Sequence, residues 1–201
     1  MTDAERVLNL LIHDLRTPLG VAHGYLRLIR EQRLTTADDR ERALTGTQQA
    51  LGRISRLCED ASGFLAEPAE GTTVRASASL LVARVSAQLR ERGVAFVSSA
   101  PAQSLTMMVG AGVDRLADAV STVLHAVTRG GAASVRVETD GDELRFVTRF
   151  DEPRTASFDP WRGYGLAVPL ACRLIASVGG RVGSEGAGAM AIAFPVEMAP
   201  E

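Results

Sequence analysis

His13-Asp14-Leu15-Arg16-Thr17-Pro18-Leu19 lies inside a helical pattern. From Ala4 to about Arg33 the apolar residues Leu8, Leu11, Leu15, Leu19, Ala22, Leu26 and Ile29 recur at steps of three and four, the spacing of one helix face. At about 100° per residue, His13 projects roughly 160° from that stripe, so an exposed imidazole is expected. Pro18 interrupts the pattern. A kink or loosened turn is expected there, with hydrogen bonding disturbed near the Leu15 carbonyl.

An imidazole has an unperturbed pKa of about 6.5, so much of it is neutral near pH 7 and can attack phosphorus. Asp14 can orient the ring or accept its proton. Thr17, one turn along, puts a hydroxyl on the same side, where it can hold a water. By residue type alone, a lone exposed histidine is more often a solvated surface residue.

The polar stretch Leu34 to Asp39 follows, and Thr36 or Asp38 is placed to cap a second helix. In that helix Leu44, Thr47, Leu51, Ile54, Cys58, Ala61 and Leu65 alternate three and four apart, forming a heptad seam. Two helices joined by a short turn make an antiparallel hairpin. A pair this long cannot cover its own apolar seams, whereas two copies can. A homodimer is therefore expected, as a four-helix bundle with two helices from each chain. The alternative is a hairpin packed on the rest of its own chain.

Glu67-Pro68-Ala69-Glu70-Gly71-Thr72-Thr73 carries proline and glycine between two periodic regions. The expected division is a helical hairpin over 1–67, a linker over 68–73 and a second domain over 74–201. The second domain starts with a strand near Thr73 to Ala76, a helix over Leu80 to Arg92, a strand at Val94 to Ser98 and a helix over Val113 to Arg129. Asp140-Gly141-Asp142 joins strands at Val135 to Glu138 and Leu144 to Arg149 in a hairpin. A helix over Leu166 to Val178 and a hairpin of Arg181 to Ser184 with Met190 to Pro195 complete it. This is an α+β layer, one mainly antiparallel sheet covered by helices.

Composition narrows the chemistry. The 201 residues are 46% hydrophobic and 23% charged with net charge −2, close to soluble averages and unlike a nucleic-acid binder, which needs a dense basic face. No apolar run reaches the roughly 18 residues of a membrane span, and no secretory leader pattern opens the chain, so no membrane contact and a cytoplasmic location are expected. Cys58 and Cys172 form no CxxC pair and support neither a disulfide framework nor a zinc site. All 22 basic residues are arginine. Without lysine the chain is no P-loop NTPase, no Ser/Thr/Tyr kinase and no pyridoxal Schiff-base enzyme.

The segment His13-Asp14-x-x-Thr17-Pro18 resembles the H-box of sensor histidine kinases, and it lies where that family has it, early in the first helix of a dimerising hairpin. The resemblance implies that His13 is the phospho-accepting histidine. It implies that Asp14 assists phosphoryl transfer and that Thr17 serves in dephosphorylating a response regulator. The second part is similar to the family's ATP-binding α+β sandwich of GHKL (Bergerat) type. Gly163-Tyr164-Gly165-Leu166-Ala167 matches a glycine box, followed in the family's order by a helix, Gly179-Gly180-Arg181-Val182 and a terminal hairpin. In working kinases such glycines let the backbone approach the triphosphate at a helix N-terminus.

The other ATP-site motifs are damaged. The helix over Val113 to Arg129 has no asparagine, and the family's Mg²⁺-binding position falls on His125 or Ala126, depending on one gap. Imidazole is a poor ligand for hard Mg²⁺, and alanine is none. The Asp-x-Gly-x-Gly box reads Asp151-Glu152-Pro153-Arg154-Thr155, and only Glu152 to Arg162 is left for a lid. Asp151 can still meet an adenine amino group, so Asp151, Gly163 and Gly165 form a remnant nucleotide site without expected cofactor. Trp161 and Tyr164 read as packing under the shortened lid or as an exposed aromatic contact. His23 and His125 read as residues without a special role.

An intact phosphohistidine box beside a degenerate ATP site resembles histidine phosphotransferases derived from histidine kinases. These pass phosphoryl groups between histidine and the aspartate of response-regulator receiver domains. The receiver is expected to bring the Mg²⁺. A divergent ATP-dependent histidine kinase and a non-catalytic pseudokinase regulator, binding a receiver or another kinase, are the alternatives.

Overall fold

The computed structural model describes residues 2–65, 74–98, 105–109, 112–129, 133–150 and 158–198. The chain forms two compact units, Met1–Glu67 and Pro68–Glu201. The linker expected over 68–73 lies outside the described residues.

The first unit is a helical hairpin. Helix α1, Asp3–Arg30, opens on a capping box: the Glu5 N–H donates to Thr2 Oγ1 at 3.2 Å and the Thr2 N–H to Glu5 Oε2 at 2.7 Å. It runs as one helix through Pro18, so the proline does not break it. After a turn, Thr36 caps helix α2, Ala37–Leu65, its Oγ1 accepting the Asp39 N–H at 3.0 Å. Thr36, rather than Asp38, is therefore the cap. Each helix carries two adjacent apolar seams. Val7, Pro18 and Ala22 of α1 are buried within the hairpin, as are Ala43, Thr47, Ala50 and Ala61 of α2.

The second seam is open in the single chain. Leu8, Ile12, Leu19 and Leu26 of α1 and Leu44 and Leu51 of α2 are all exposed, Leu19 and Leu51 at 52%. The stripe expected as one buried face is thus divided: Ala22 is inside, while Leu8, Leu19 and Leu26 are outside. Tyr25 packs against Gly46 and fixes the level of the two helices. On that level Leu26 comes opposite Leu44. Seven residues back along α1 and seven forward along α2, Leu19 comes opposite Leu51, and a further seven bring Ile12 opposite Cys58. The exposed residues therefore stack in layers.

The second unit is α+β. Strand β1, Val74–Ser77, leads directly into helix α3, Ala78–Glu91. Strands β2, Ala95–Ser98, and β3, Leu105–Val109, precede helix α4, Val113–Thr128. Strands β4, Ala133–Asp140, and β5, Glu143–Phe150, form the hairpin expected at Gly141. Helix α5, Ala167–Ser177, is followed by β6, Arg181–Ser184, β7, Ala189–Pro195, and the two-residue β8, Glu197–Met198.

Two sheets result where one was expected. The larger has order β2-β4-β5-β7-β6, antiparallel except for β2 with β4; the smaller has order β1-β3-β8. The parallel pair follows from its connection, since strands joined through a helix can enter a sheet in the same direction. The helices bury one face of the larger sheet. Leu81, Leu116, Val120 and Ile175 pack with Val135, Val137, Phe146, Ile192 and Phe194, and Phe146 meets Phe194 edge to face at 6.3 Å.

Candidate functional site: an exposed histidine on the hairpin

His13 stands on α1 opposite the seams, with 79% of its side chain exposed. Its Nδ1 lies 3.0 Å from Oδ1 of Asp14, whose side chain is 19% exposed. A carboxylate accepts only, so Nδ1 carries the proton in this contact, and in the neutral ring it is Nε2 that has the lone pair. Helix geometry holds both residues in place. Thr17 is exposed one turn further along α1, and Pro18 beside it is buried, turning this side of the helix outward. The arrangement offers a nucleophilic nitrogen, a neighbouring carboxylate and a hydroxyl on one accessible face. His23 is also exposed, ten residues along.

The residues expected to form a remnant nucleotide site fall in the second unit. Asp151 and the start of the shortened lid lie outside the described residues. Gly163 and Gly165 both adopt the left-handed region, at φ 81° and 74°, which lets the chain turn sharply into α5. Tyr164 between them is half-buried. Its ring lies 5.8 Å from Phe158, and both pack against the core. The Phe158 N–H donates to Ser184 Oγ at 2.8 Å, tying this segment to β6, and the Trp161 N–H donates to Asp159 Oδ1 at 3.0 Å. Packing therefore describes Tyr164 better than an exposed contact does. The two glycines make a sharp turn, with an aromatic side chain laid inward between them.

His125 occupies a different part of this unit. Asp114, Asp118, Ser121 and His125 follow one another at steps of four, three and four, one stripe of α4. Asp114 pairs with Arg84 of α3 at 3.2 Å, and Asp118 accepts from Gln88 Nε2 of α3 at 2.5 Å. The stripe therefore faces α3. Ala126 is about 100° further round the helix. Burial depresses the His125 pKa, and the charges of Arg92 and Arg129 add to the effect. Among the described residues no cluster of three or more histidine, cysteine or acidic side chains is placed to hold a metal ion. None of their helices is long and apolar enough to cross a membrane.

The Tyr25–Gly46 contact, which sets the level of the hairpin, went unread in the sequence. Glycines inside the heptad pattern of α2 were the available signal, because such a glycine often marks a close approach.

No family model and no curated protein matches the sequence. Solved structures do match its fold. The Acinetobacter baumannii histidine kinase AdeS aligns over 91% of this chain and 97% of its own, with TM-score 0.64 and 15% identity. Full-length ShkA, solved in complex with AMPPNP, aligns over the whole of this chain at TM-score 0.56 and 24% identity. This chain spans 47% of ShkA. The histidine kinase ThkA, solved in complex with the response regulator protein TrrA, aligns over 96% of this chain and 64% of its own, at TM-score 0.56 and 15% identity. A helical hairpin followed by an α+β unit of this topology is a histidine-kinase-like fold. The chain is thus similar to histidine kinases in both of its units, as the residues around His13 and Gly163 led us to expect.

Proposed function

We propose that this chain is a histidine phosphotransferase of a two-component phosphorelay, passing phosphoryl groups between His13 and the aspartate of response-regulator receiver domains without using ATP. The observation that carries the reading is the exposure of His13 together with its Nδ1 contact to Asp14. Nε2 attacks the phosphorus of the phospho-aspartate, the P–N bond forms as the bond to the aspartyl oxygen breaks, and the carboxylate leaves. The reverse step returns the group. Asp14 accepts the Nδ1 proton's hydrogen bond and stabilises the charge developing on the ring. Mg²⁺ belongs to the receiver, and positioning supplies most of the acceleration. Thr17 directs a water at the phosphoryl group in dephosphorylation.

Two copies join through the layered seam of Leu8, Ile12, Leu19 and Leu26 with Leu44 and Leu51, because so many exposed apolar residues in one line need a cover. That ThkA was solved with a response regulator supports receivers as partners. The lack of asparagine in α4, together with the α3-facing position of His125, supports an ATP-independent role.

Incubation with phosphorylated receivers tests the reading. Acid-labile, base-stable label should appear on the wild-type chain and on His23→Gln and His125→Gln, and not on His13→Gln. Calorimetry with Mg²⁺-ATP should be flat. Micromolar binding followed by autophosphorylation would identify a divergent kinase instead. Regulation that survives His13→Gln would identify a non-catalytic regulator.

A further inference from the structure

The five-stranded sheet has a second face, turned away from the helices. Alternation along the strands sends Val135, Val137, Phe146 and Ile192 to the helices, so the residues between them point the other way. The register sets those outer residues in rows. Ala95, Ser134 and Arg149 share one row, and Val97, Arg136 and Val147 the next. Charge is divided unevenly among the rows. Toward the β4–β5 turn, Arg145 pairs with Asp140 and Glu185, and Arg181 pairs with Glu143. Glu138 lies opposite Arg145 in that same part. Arg136 and Arg149 are exposed and have no carboxylate partner among the described residues. They are diagonal neighbours, because Arg136 sits opposite Val147 and Arg149 is two residues on.

These two arginines stand beside an open strand edge. β2 ends the sheet and pairs only with β4, so its far side presents backbone N–H and C=O groups to no strand. Proteins usually blunt such an edge with a charge, a proline or a cover. Ala95-Phe96-Val97-Ser98 has neither charge nor proline, and Val97 is 50% exposed. The opposite edge, β6, is guarded. Arg181 begins it, and Ser184 accepts the Phe158 N–H.

We propose that β2 is a docking edge for an extended protein segment in which acidic and apolar residues alternate, with Arg136 and Arg149 recognising its acidic side. The segment adds to the sheet as a further strand, and its side chains alternate between the two faces. Those on the outer face stand next to Ala95 and Val97, two strand spacings or about 10 Å from β4. A glutamate there and Arg136 meet by leaning toward each other over Val97. Ser134 and Ala95 are small, which leaves Arg149 a lane to the same edge. Side chains on the inner face stand beside Phe96, half-buried at the rim of the core, where an apolar group extends that core. A basic segment would be repelled from the outer face. The surface is independent of the phosphotransferase reading.

Titration of the nitrogen-15-labelled full chain with a synthetic peptide alternating glutamate and valine tests this. Amide shifts should saturate at Ala95 to Ser98, and hydrogen exchange there should slow. Affinity should fall about tenfold in Arg136→Gln, the size of one lost hydrogen bond to a charged group, and further when Arg149→Gln is added. Unchanged amide positions away from the sheet edge verify that these surface variants stay folded. A peptide alternating lysine and valine should not bind. Nor should one alternating glutamate and proline, since proline cannot donate to a ladder. No saturable binding, shifts confined elsewhere, or unchanged affinity in the double variant overturns the proposal. Equal binding of the proline peptide would show charge attraction without an added strand, and β2 amides protected at high protein concentration without peptide would assign the edge to a second copy. Either result overturns it too.

Discussion

His13 and Asp14 are adjacent in the chain, and Nδ1 of the one lies 3.0 Å from Oδ1 of the other, so the carboxylate engages one ring nitrogen and leaves the other free of it. Neighbours on a helix point about 100° apart, and only their tips can meet. Here that tip contact leaves Nε2 outward.

The first prediction follows from this. Nitrogen-15 chemical shifts of His13 should report the Nδ1–H tautomer in the wild type and a mixture in Asp14→Asn, whose amide can donate as well as accept. Phosphoryl transfer to Asp14→Asn should fall by roughly 10²-fold, the lower end of what a positioned proton acceptor contributes. A wild-type ring dominated by Nε2–H would remove Asp14 from this role.

The two cysteines make a dimer test that needs no label beyond an alkylating reagent. Burial pushes the Cys172 thiol up to about 12, so almost no thiolate is available there at neutral pH. Cys58 is exposed in the single chain, and heptad spacing puts it on the same stripe of α2 as the exposed Leu44 and Leu51. Alkylation therefore reads Cys58. It should be slow at protein concentrations that favour the dimer, and fast on dilution or in Leu51→Asp. Equal rates in all three conditions would leave the seam without its second copy.

Much of this fold was legible because it is written in short spacings. The threes and fours from Leu44 to Leu65 mark a heptad helix, and Asp140-Gly141-Asp142 marks the β4–β5 hairpin. The same spacing could not say which half of a seam faces inward. Residues three and four apart lie on both of two adjacent stripes, and which one faces inward is a matter of interhelical packing such as the Tyr25–Gly46 contact. Strand β8 is two residues long and exists only through its pairing with β3. His125 and Ala126 could not be separated along the chain either. Their roles depend on which side of α4 meets α3, a fact of packing.

Gly46 allows a prediction whose sign changes with its neighbour. A Cβ built there would overlap the Tyr25 ring. Overpacking costs about 1–3 kcal/mol, whereas replacing a mid-helix glycine by alanine gains about 1 kcal/mol. Gly46→Ala should therefore destabilise the helical signal to denaturant in the wild-type background by up to about 2 kcal/mol. In Tyr25→Ala the same substitution should stabilise it by about 1 kcal/mol. A loss of equal size in both backgrounds would mean that the ring is not what limits the site.

The last prediction concerns acid. His125 has its folded pKa depressed, first by burial and then by Arg92 and Arg129, while in the unfolded chain it titrates near the ordinary value of about 6.5. Above that value neither state holds the proton, and the folded unit keeps its full stability. As pH falls through 6.5 the unfolded chain takes up the proton first, so stability declines until the folded pKa is reached, and then levels off. Trp161 is the only tryptophan and sits in the same unit as His125, so its emission follows this unit alone. The midpoint of thermal unfolding read from Trp161 should drop in the wild type as pH falls below about 6.5, the unfolded value. The drop should be shallower in Arg129→Gln, which removes one of the repelling charges, and the histidine's share of it should vanish in His125→Gln. An unchanged slope in His125→Gln would assign the acid sensitivity to other groups.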